Sequence, residues 1–319
     1  MILQLPDRNQ TLLCCPKQIL QKSMKNEQIA IGVDIGGTNI RAGAVTVDGT
    51  VTGDPVSVAT GAKEDKDRIV ARIVGSISEI IKRNELSKTD IKGIGLGVTG
   101  PLDVKNGSIL QCLNLPTMDF FPLRDVIEKE FNLPVFMNND ANAMILGECF
   151  WGAGKGARSV LGITVGTGLG CAIVLDKKIW MGSTETAGEI WISPYKNGII
   201  EDIVSGNGIS KLYEKLSGHK VTAEEIATLA FHGNKSAKAA WNEFGKIVAY
   251  ALAWSVNLLD PEIVIIGGSI ANAMELFLPA LEESLRKNIC PVPAQNLRIV
   301  RTQLGDNAGF IGAAVLVYA

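Results

Sequence analysis

Two stretches of this chain repeat one pattern: Ile31-Gly-Val-Asp34-Ile-Gly36-Gly37-Thr38 and Leu161-Gly-Ile-Thr164-Val-Gly166-Thr167-Gly168, a constant 130 residues apart. In each copy an apolar, β-branched run breaks into a Gly/Thr cluster and resumes as a second apolar run, over 40–47 and 169–175. That is the signature of a β-hairpin with a glycine-rich turn. Glycine there leaves backbone N–H groups uncovered, so the turn can wrap an anion with no side chain in the way. Two such turns facing each other across a cleft would hold a polyphosphate.

Beyond each hairpin, helix and strand alternate. Ile69, Val70, Ile73, Ile77, Ile80 and Ile81 have the spacing of an amphipathic helix over 64–86. A strand over 91–98 then runs into Thr99-Gly100-Pro101, with a helix at 123–130, a buried strand at 135–137 and a helix over 142–151 after it. The second half has its hairpin at 159–176, a long polar excursion, and helices at about 206–216, 222–231 and 235–258. A strand at 263–266 exits into Gly267-Gly268, and a helix (271–288), a strand (298–302) and a closing helix (308–318) complete it. Such a plan predicts an α/β protein with mixed sheets covered by helices, its site in the cleft between the halves. In the 235–258 helix, Trp241, Phe244 and Trp254 are read as core.

Composition narrows the function. With 319 residues, 46% of them hydrophobic and 20% charged, the chain has material for about two ordinary globular domains. A formal net charge of −2 gives no footprint for nucleic acid or an anionic membrane. No apolar run approaches the roughly 20 residues of a membrane-spanning helix. The six cysteines are scattered apart from Cys14-Cys15, which fits free thiols in a reducing cytoplasm. Residues 1–28 are polar and patternless, an expected N-terminal extension that is disordered or mis-started, with Met24 as an internal start.

Three clusters carry chemistry. Asp34 stands where the second copy has Thr164, and a carboxylate beside a phosphate turn is resolved by a bound Mg²⁺, reached directly or through its water shell. The alternative is that Asp34 only caps its turn. Asp140, in Asn138-Asn139-Asp140-Ala141-Asn142, lies between a strand and a helix, where it is suited to accept a proton from an attacking hydroxyl or, equally, to serve as an N-cap. Glu185, Glu189 and Glu201 sit on an irregular segment and are either sugar-hydroxyl acceptors or solvated loop charges. Gly267-Gly268 would let a base or ribose approach the backbone, or merely start a helix.

Taken together, Asp34-x-Gly-Gly-Thr38-Asn39, Gly97-Val-x-Gly100, Asn139-Asp140-Ala141-Asn142, Gly166-Thr-Gly168 and Gly188-Glu189 resemble the ROK family of sugar kinases and sugar-responsive repressors, from about Ile29 to the C-terminus. The resemblance implies two actin-like (ribonuclease H-like) domains, 29–137 plus 306–319 and 138–305, with ATP and Mg²⁺ in the cleft. It implies that Asp140 is the general base and that Gly100, Asn114, Asn139, Asp140, Glu189 and Glu201 bind a hexose or hexosamine. Gly36, Gly37, Thr38, Asn39, Thr167 and Gly168 would hold phosphates, Gly267 and Gly268 the adenosine, and Asp34 the metal. A cytoplasmic homodimer is also implied.

The chain departs from the family at one place. Trp191-Ile192 replaces the usual Gly-His after Gly188-Glu189-Ile, and the Cys-rich zinc loop is missing: neither His nor Cys occurs between Cys171 and His219, which excludes structural zinc on ligand count. The leading reading is a glucokinase-like enzyme. A catalytically weak nucleotide and sugar sensor is the alternative, against which the retained Asp140 argues. The repressor reading needs a helix-turn-helix module ahead of the first strand, where no paired amphipathic helices are seen.

Overall fold

Each glycine-rich repeat becomes an antiparallel hairpin at the centre of its own sheet. The computed structural model describes residues 28–319; the expectations for the leading segment, with the start at Met24 and the Cys14-Cys15 pair, lie outside the described residues. In the first half β1 (Ile29–Ile35), β2 (Asn39–Val45) and β3 (Val51–Ala59) run antiparallel. Helix α1 (Lys66–Arg83) leads to β4 (Ile91–Val98), which pairs parallel with β1. A ribbon of β5 (Leu102–Asp103) and β6 (Ser108–Ile109), then α2 (Leu123–Phe131), precede β7 (Val135–Asn139), parallel to β4. The sheet order is β3-β2-β1-β4-β7. Asn138 and Asn139 therefore still belong to a strand of the first sheet, and the chain turns directly into α3 (Asp140–Trp151).

The second half repeats this order. Its antiparallel part is β8 (Ser159–Val165), β9 (Leu169–Leu175) and β10 (Lys178–Ile179), with a ribbon of β11 (Pro194–Tyr195) and β12 (Gly198–Ile199) after it. Three helices, α4 (Gly206–Ser217), α5 (Ala223–Phe231) and α6 (Lys235–Leu259), lead to β13 (Ile263–Gly267). Helices α7 (Met274–Asn288) and α8 (Pro291–Asn296) precede β14 (Arg298–Arg301), and the sheet reads β10-β9-β8-β13-β14. The final helix, α9 (Ala308–Tyr318), leaves this half and returns to the first sheet.

Two helices lie between the sheets. Helix α9 packs on β1 and β4 with its backbone nearly touching theirs: a Cβ on Gly32 would sit 1.8 Å from the Phe310 carbonyl oxygen, and one on Gly95 1.8 Å from that of Ala313. On the other side α9 meets α3, where Gly147 and Gly312 leave the same kind of gap. Helix α3 in turn buries Ile145, Leu146 and Cys149 against Val160, Ala172, Val174 and Ile265 of the second sheet. The far end of α3 is pinned by Glu148, which is fully buried and accepts the backbone N–H groups of Ala153 (2.7 Å), Gln303 (2.9 Å) and Leu304 (2.9 Å). A buried carboxylate is tolerable when several charge-assisted hydrogen bonds satisfy it.

The outer helices of the second half build a separate core around Trp241, Phe244 and Phe277, with Trp241 stacked on Phe277 at 5.8 Å. Trp254 does not join it, contrary to its reading as core among the apolar residues of this helix: it is 78% exposed. At about 100° per residue, position 254 points roughly 220° away from position 241, onto the opposite face of α6.

Replacing Gly32 by Ala is expected to destabilise the protein by about 3 kcal/mol, because the methyl group must push α9 off the sheet. Urea unfolding of Gly32→Ala against the parent measures this; a loss below about 0.5 kcal/mol would show that α9 is not packed this closely.

Candidate active site

The first turn is held from behind. The Gly36 N–H donates to the Asn39 carbonyl (3.0 Å), and the buried Thr60 donates its hydroxyl to the Gly36 carbonyl (2.7 Å) and its N–H to that of Thr38 (2.9 Å). Thr38 and Asn39 are left exposed at the tip. The second turn is one residue shorter, since Val165 pairs with Leu169 whereas Ile35 pairs with Ile40. Here the Gly166 N–H donates to the Gly168 carbonyl (3.0 Å), and the Glu201 carboxylate accepts the Leu169 N–H (2.8 Å). Glu201 is thus built into the wall of the second turn, beside Gly168.

Asp34 is the penultimate residue of β1, just before the first turn, and the start of α9 presses on it: a Cβ on Gly309 would lie 2.3 Å from the Asp34 carboxylate. Burial, and next the charge of Asp140, push the Asp34 carboxyl up to about 7, with Arg41 pulling the other way. Arg41 is the cross-strand partner of Asp34 and also donates to the Asp306 carbonyl and the Asn307 side chain, so it fixes the entry of α9 at the same point.

Asp140 is the first residue of α3. Asn139 is the cap, accepting the N–H groups of Ala141 (3.0 Å) and Asn142 (3.4 Å). Asp140 is thereby freed from capping by its neighbour, although its Oδ1 takes a second share of the Ala141 N–H at 2.8 Å. Burial raises the Asp140 carboxyl above the usual range; the Ala141 N–H opposes the shift and the charge of Glu189 adds to it. Glu189 arrives through Gly188, whose φ of 94° and closeness to the Cys171 carbonyl (2.6 Å from a notional Cβ) leave room only for glycine. The Trp191 indole N–H donates to the Glu189 carboxylate.

The first half contributes a further wall. Thr99, at the exit of β4, donates its N–H to the Ile35 carbonyl (3.0 Å) and accepts the Asn114 side-chain amide (3.2 Å). Asn114 also lies against Gly37, and Gly100 lies against the Asn139 amide. The predicted residues therefore gather as one group around Asp34, Asp140 and Glu189, with Gly36, Gly37, Asn114, Gly100 and Asn139, and a second around Thr167, Gly168 and Glu201. Gly267 joins neither: it is buried within β13, closed in by Met144 and Thr302. Gly268 is exposed with φ 81°, and Ser269 beyond it lines a cavity of about 500 Å³ with Gly166, Thr167, Gly206, Asn207 and Thr222.

Several of these partners escaped sequence reasoning. Thr60, Arg41, Asn114's backbone contact and Gly309 act from other elements, and only Arg41 had a signal, its register opposite Asp34 in a short hairpin.

The ROK family profile matches residues 30–319, nearly the whole of the described chain. The chain belongs to the ROK family. It is 31% identical over 312 residues to a glucokinase of Halalkalibacterium halodurans, covering 90% of this chain and 94% of that one. It is 33% identical over 307 residues to an N-acetyl-D-glucosamine kinase of Photobacterium profundum, covering 89% and 98%. Among solved structures it resembles a ROK family glucokinase from Streptomyces griseus in complex with glucose and AMPPNP, at TM-score 0.79, 28% identity and coverage of 90% and 98%. The two mixed sheets flanked by helices are thus the actin-like architecture of these ROK proteins.

The shift of Asp34 makes stability depend on pH. Its folded-state value lies above that of the unfolded chain, so its contribution is fully present below about pH 4 and is lost as the pH rises through about 7. Relative to Asp34→Asn, the ligand-free parent is expected to lose on the order of 2–3 kcal/mol between pH 5 and pH 8. Denaturant melts of both proteins across that range measure the gap, and a gap independent of pH would contradict the crowding of Asp34 against α9 and Asp140.

Proposed function

We propose that this protein transfers the terminal phosphoryl group of ATP to a hydroxyl of a hexose or hexosamine, with Asp140 as general base. The observation that carries this reading is the position of Asp140: a half-buried, proton-avid carboxyl at the start of α3, within electrostatic reach of Asp34 beside one glycine-rich turn and of Glu189. Its Oδ1 accepts the Ala141 N–H at 2.8 Å, and in this reading Oδ2 receives the hydroxyl proton. The names of the similar kinases support the substrate class.

In this reading the backbone of Gly36, Gly37 and Thr38, with Asn39, receives the terminal phosphates, and Thr167 and Gly168 receive the phosphate nearer the nucleoside. The adenosine takes the cavity edged by Ser269 and Thr222, next to Gly268. Asn114, Gly100, Asn139 and Glu189 surround the sugar, and Glu201 keeps its place at the second turn. Two carboxyls, Asp34 and Asp140, crowded at the mouth of a phosphate turn fit a hard divalent cation that keeps most of its waters. Asp34 would hold Mg²⁺, directly or through water, and the ion would neutralise charge on the phosphates. Positioning and charge neutralisation supply most of the rate in phosphoryl transfer. The active species is read as a homodimer.

A coupled ADP-release assay over a panel of hexoses and N-acetylhexosamines tests this. The parent is expected to turn over at least one of them. Asp140→Asn is expected to lower kcat by about two orders of magnitude or more with the sugar KM nearly unchanged, the pattern of a lost base. ATP binding without turnover of any sugar would favour the sensor reading instead.

A further inference from the structure

A larger cavity, of about 800 Å³, lies between the β11–β12 ribbon, α4 and α6, and none of the residues assigned to the cleft lines it. Its floor is apolar, with Ile203, Leu212 and Ile247, and Tyr195 forms one wall. The rim is cationic: Lys196, Lys211, Lys215 and Lys246 face only two acids, Asp202 and Glu243. Glu243 is spent on Lys246 (3.7 Å), and Asp202 accepts the Ile199 N–H (3.0 Å). Among the described residues neither Lys211 nor Lys215 makes an ion pair. In a chain whose formal net charge is −2, positive charge is therefore concentrated here over an apolar floor. The volume is that of a small-molecule site, and an apolar lining with a few convergent polar groups is the usual make-up of one.

The cavity also touches the cleft through one short turn. Ile200–Asp202 forms a single 3-10 turn whose adjacent carboxylates serve the two sides: Glu201 accepts the Leu169 N–H at the second glycine-rich turn, and Asp202 lines the cavity. An anion drawn to Lys211 and Lys215 would repel Asp202, and the shared turn gives a shift of Asp202 a one-residue path to Glu201.

We propose that this cavity is a second ligand site, for a small organic anion with an apolar or aromatic body, and that its occupant acts on the nucleotide turn through Ile200–Asp202. The binding claim stands without the kinase reading; the coupling claim rests on the second turn holding nucleotide, as in the proposed function.

Isothermal titration of the full chain with 1-naphthyl phosphate, with and without saturating AMPPNP and Mg²⁺, tests both. One site per chain is expected in either condition, with inorganic phosphate and 1-naphthol each at least about tenfold weaker, since neither carries both features. Lys211→Glu with Lys215→Glu, and separately Ala239→Trp, which fills the cavity, should each weaken the probe at least about tenfold; thermal melts check that both variants fold. The bound probe should change AMPPNP affinity at least about threefold in the parent and in neither variant. No saturable binding, or binding that both variants leave intact, overturns the site. Site-dependent binding with AMPPNP affinity unchanged overturns the coupling, and a parent that binds the probe but no nucleotide sinks the kinase reading while leaving the site standing.

Discussion

The backbone-to-backbone approach of α9 to the first sheet sets everything downstream of it. Because Gly32 and Gly95 remove the side chains that would hold it away, α9 settles deep on β1 and β4 and brings Gly309 against Asp34. Its other face meets α3 across Gly312 and Gly147, and α3 begins with Asp140. One close contact thus places two carboxyls from different elements at the same point of the cleft. Interiors packed to crystal-like density transmit such placements rigidly, so helix positions and carboxyl positions are linked. Glu148 adds the far anchor by tying the end of α3 to the segment that enters α9.

This arrangement stores an electrostatic conflict. Burial lifts both Asp34 and Asp140, and each has another carboxylate nearby, Asp140 for Asp34 and Glu189 for Asp140. A fold selected for stability alone would not gather three acids there. Perturbed carboxyls in a cleft are a common mark of a working site, and in the proposed function the backbone turns would offer N–H groups to anions while the acids would offer a proton acceptor and a seat for a cation. The Trp191 indole N–H on Glu189 eases part of the repulsion.

Much of the site was legible in the chain because its parts are local. Glycine-rich breaks between apolar runs mark hairpin turns wherever they occur, and the 130-residue repeat turned out to be a repeat of sheet order, not only of sequence. Asp140 at a strand-to-helix junction came from the same logic, although the cap proved to be Asn139 and the helix began two residues earlier than the periodicity suggested. What failed to show was anything decided by distant contact. Gly267 and Gly268 look alike in sequence, yet the packing of Met144 and Thr302 buries one while the other lies at the strand exit. Trp254 and Trp241 are both apolar positions of one helix, yet helical phase sets them on opposite faces. The cationic cavity draws on three segments between Tyr195 and Ile247 that meet only once α4 and α6 pack beside the β11–β12 ribbon, so no local pattern announces it.

In the proposed function, Asp140 and the Asp34 turn meet at the reacting atoms. A structure of the protein with glucose, AMPPNP and Mg²⁺ tests it most directly. One sugar hydroxyl is expected within about 3 Å of an Asp140 carboxylate oxygen, facing the terminal phosphate held over Gly36 and Gly37. A terminal phosphate seated at Gly166–Gly168 instead, or a bound sugar with no hydroxyl near Asp140, would contradict it.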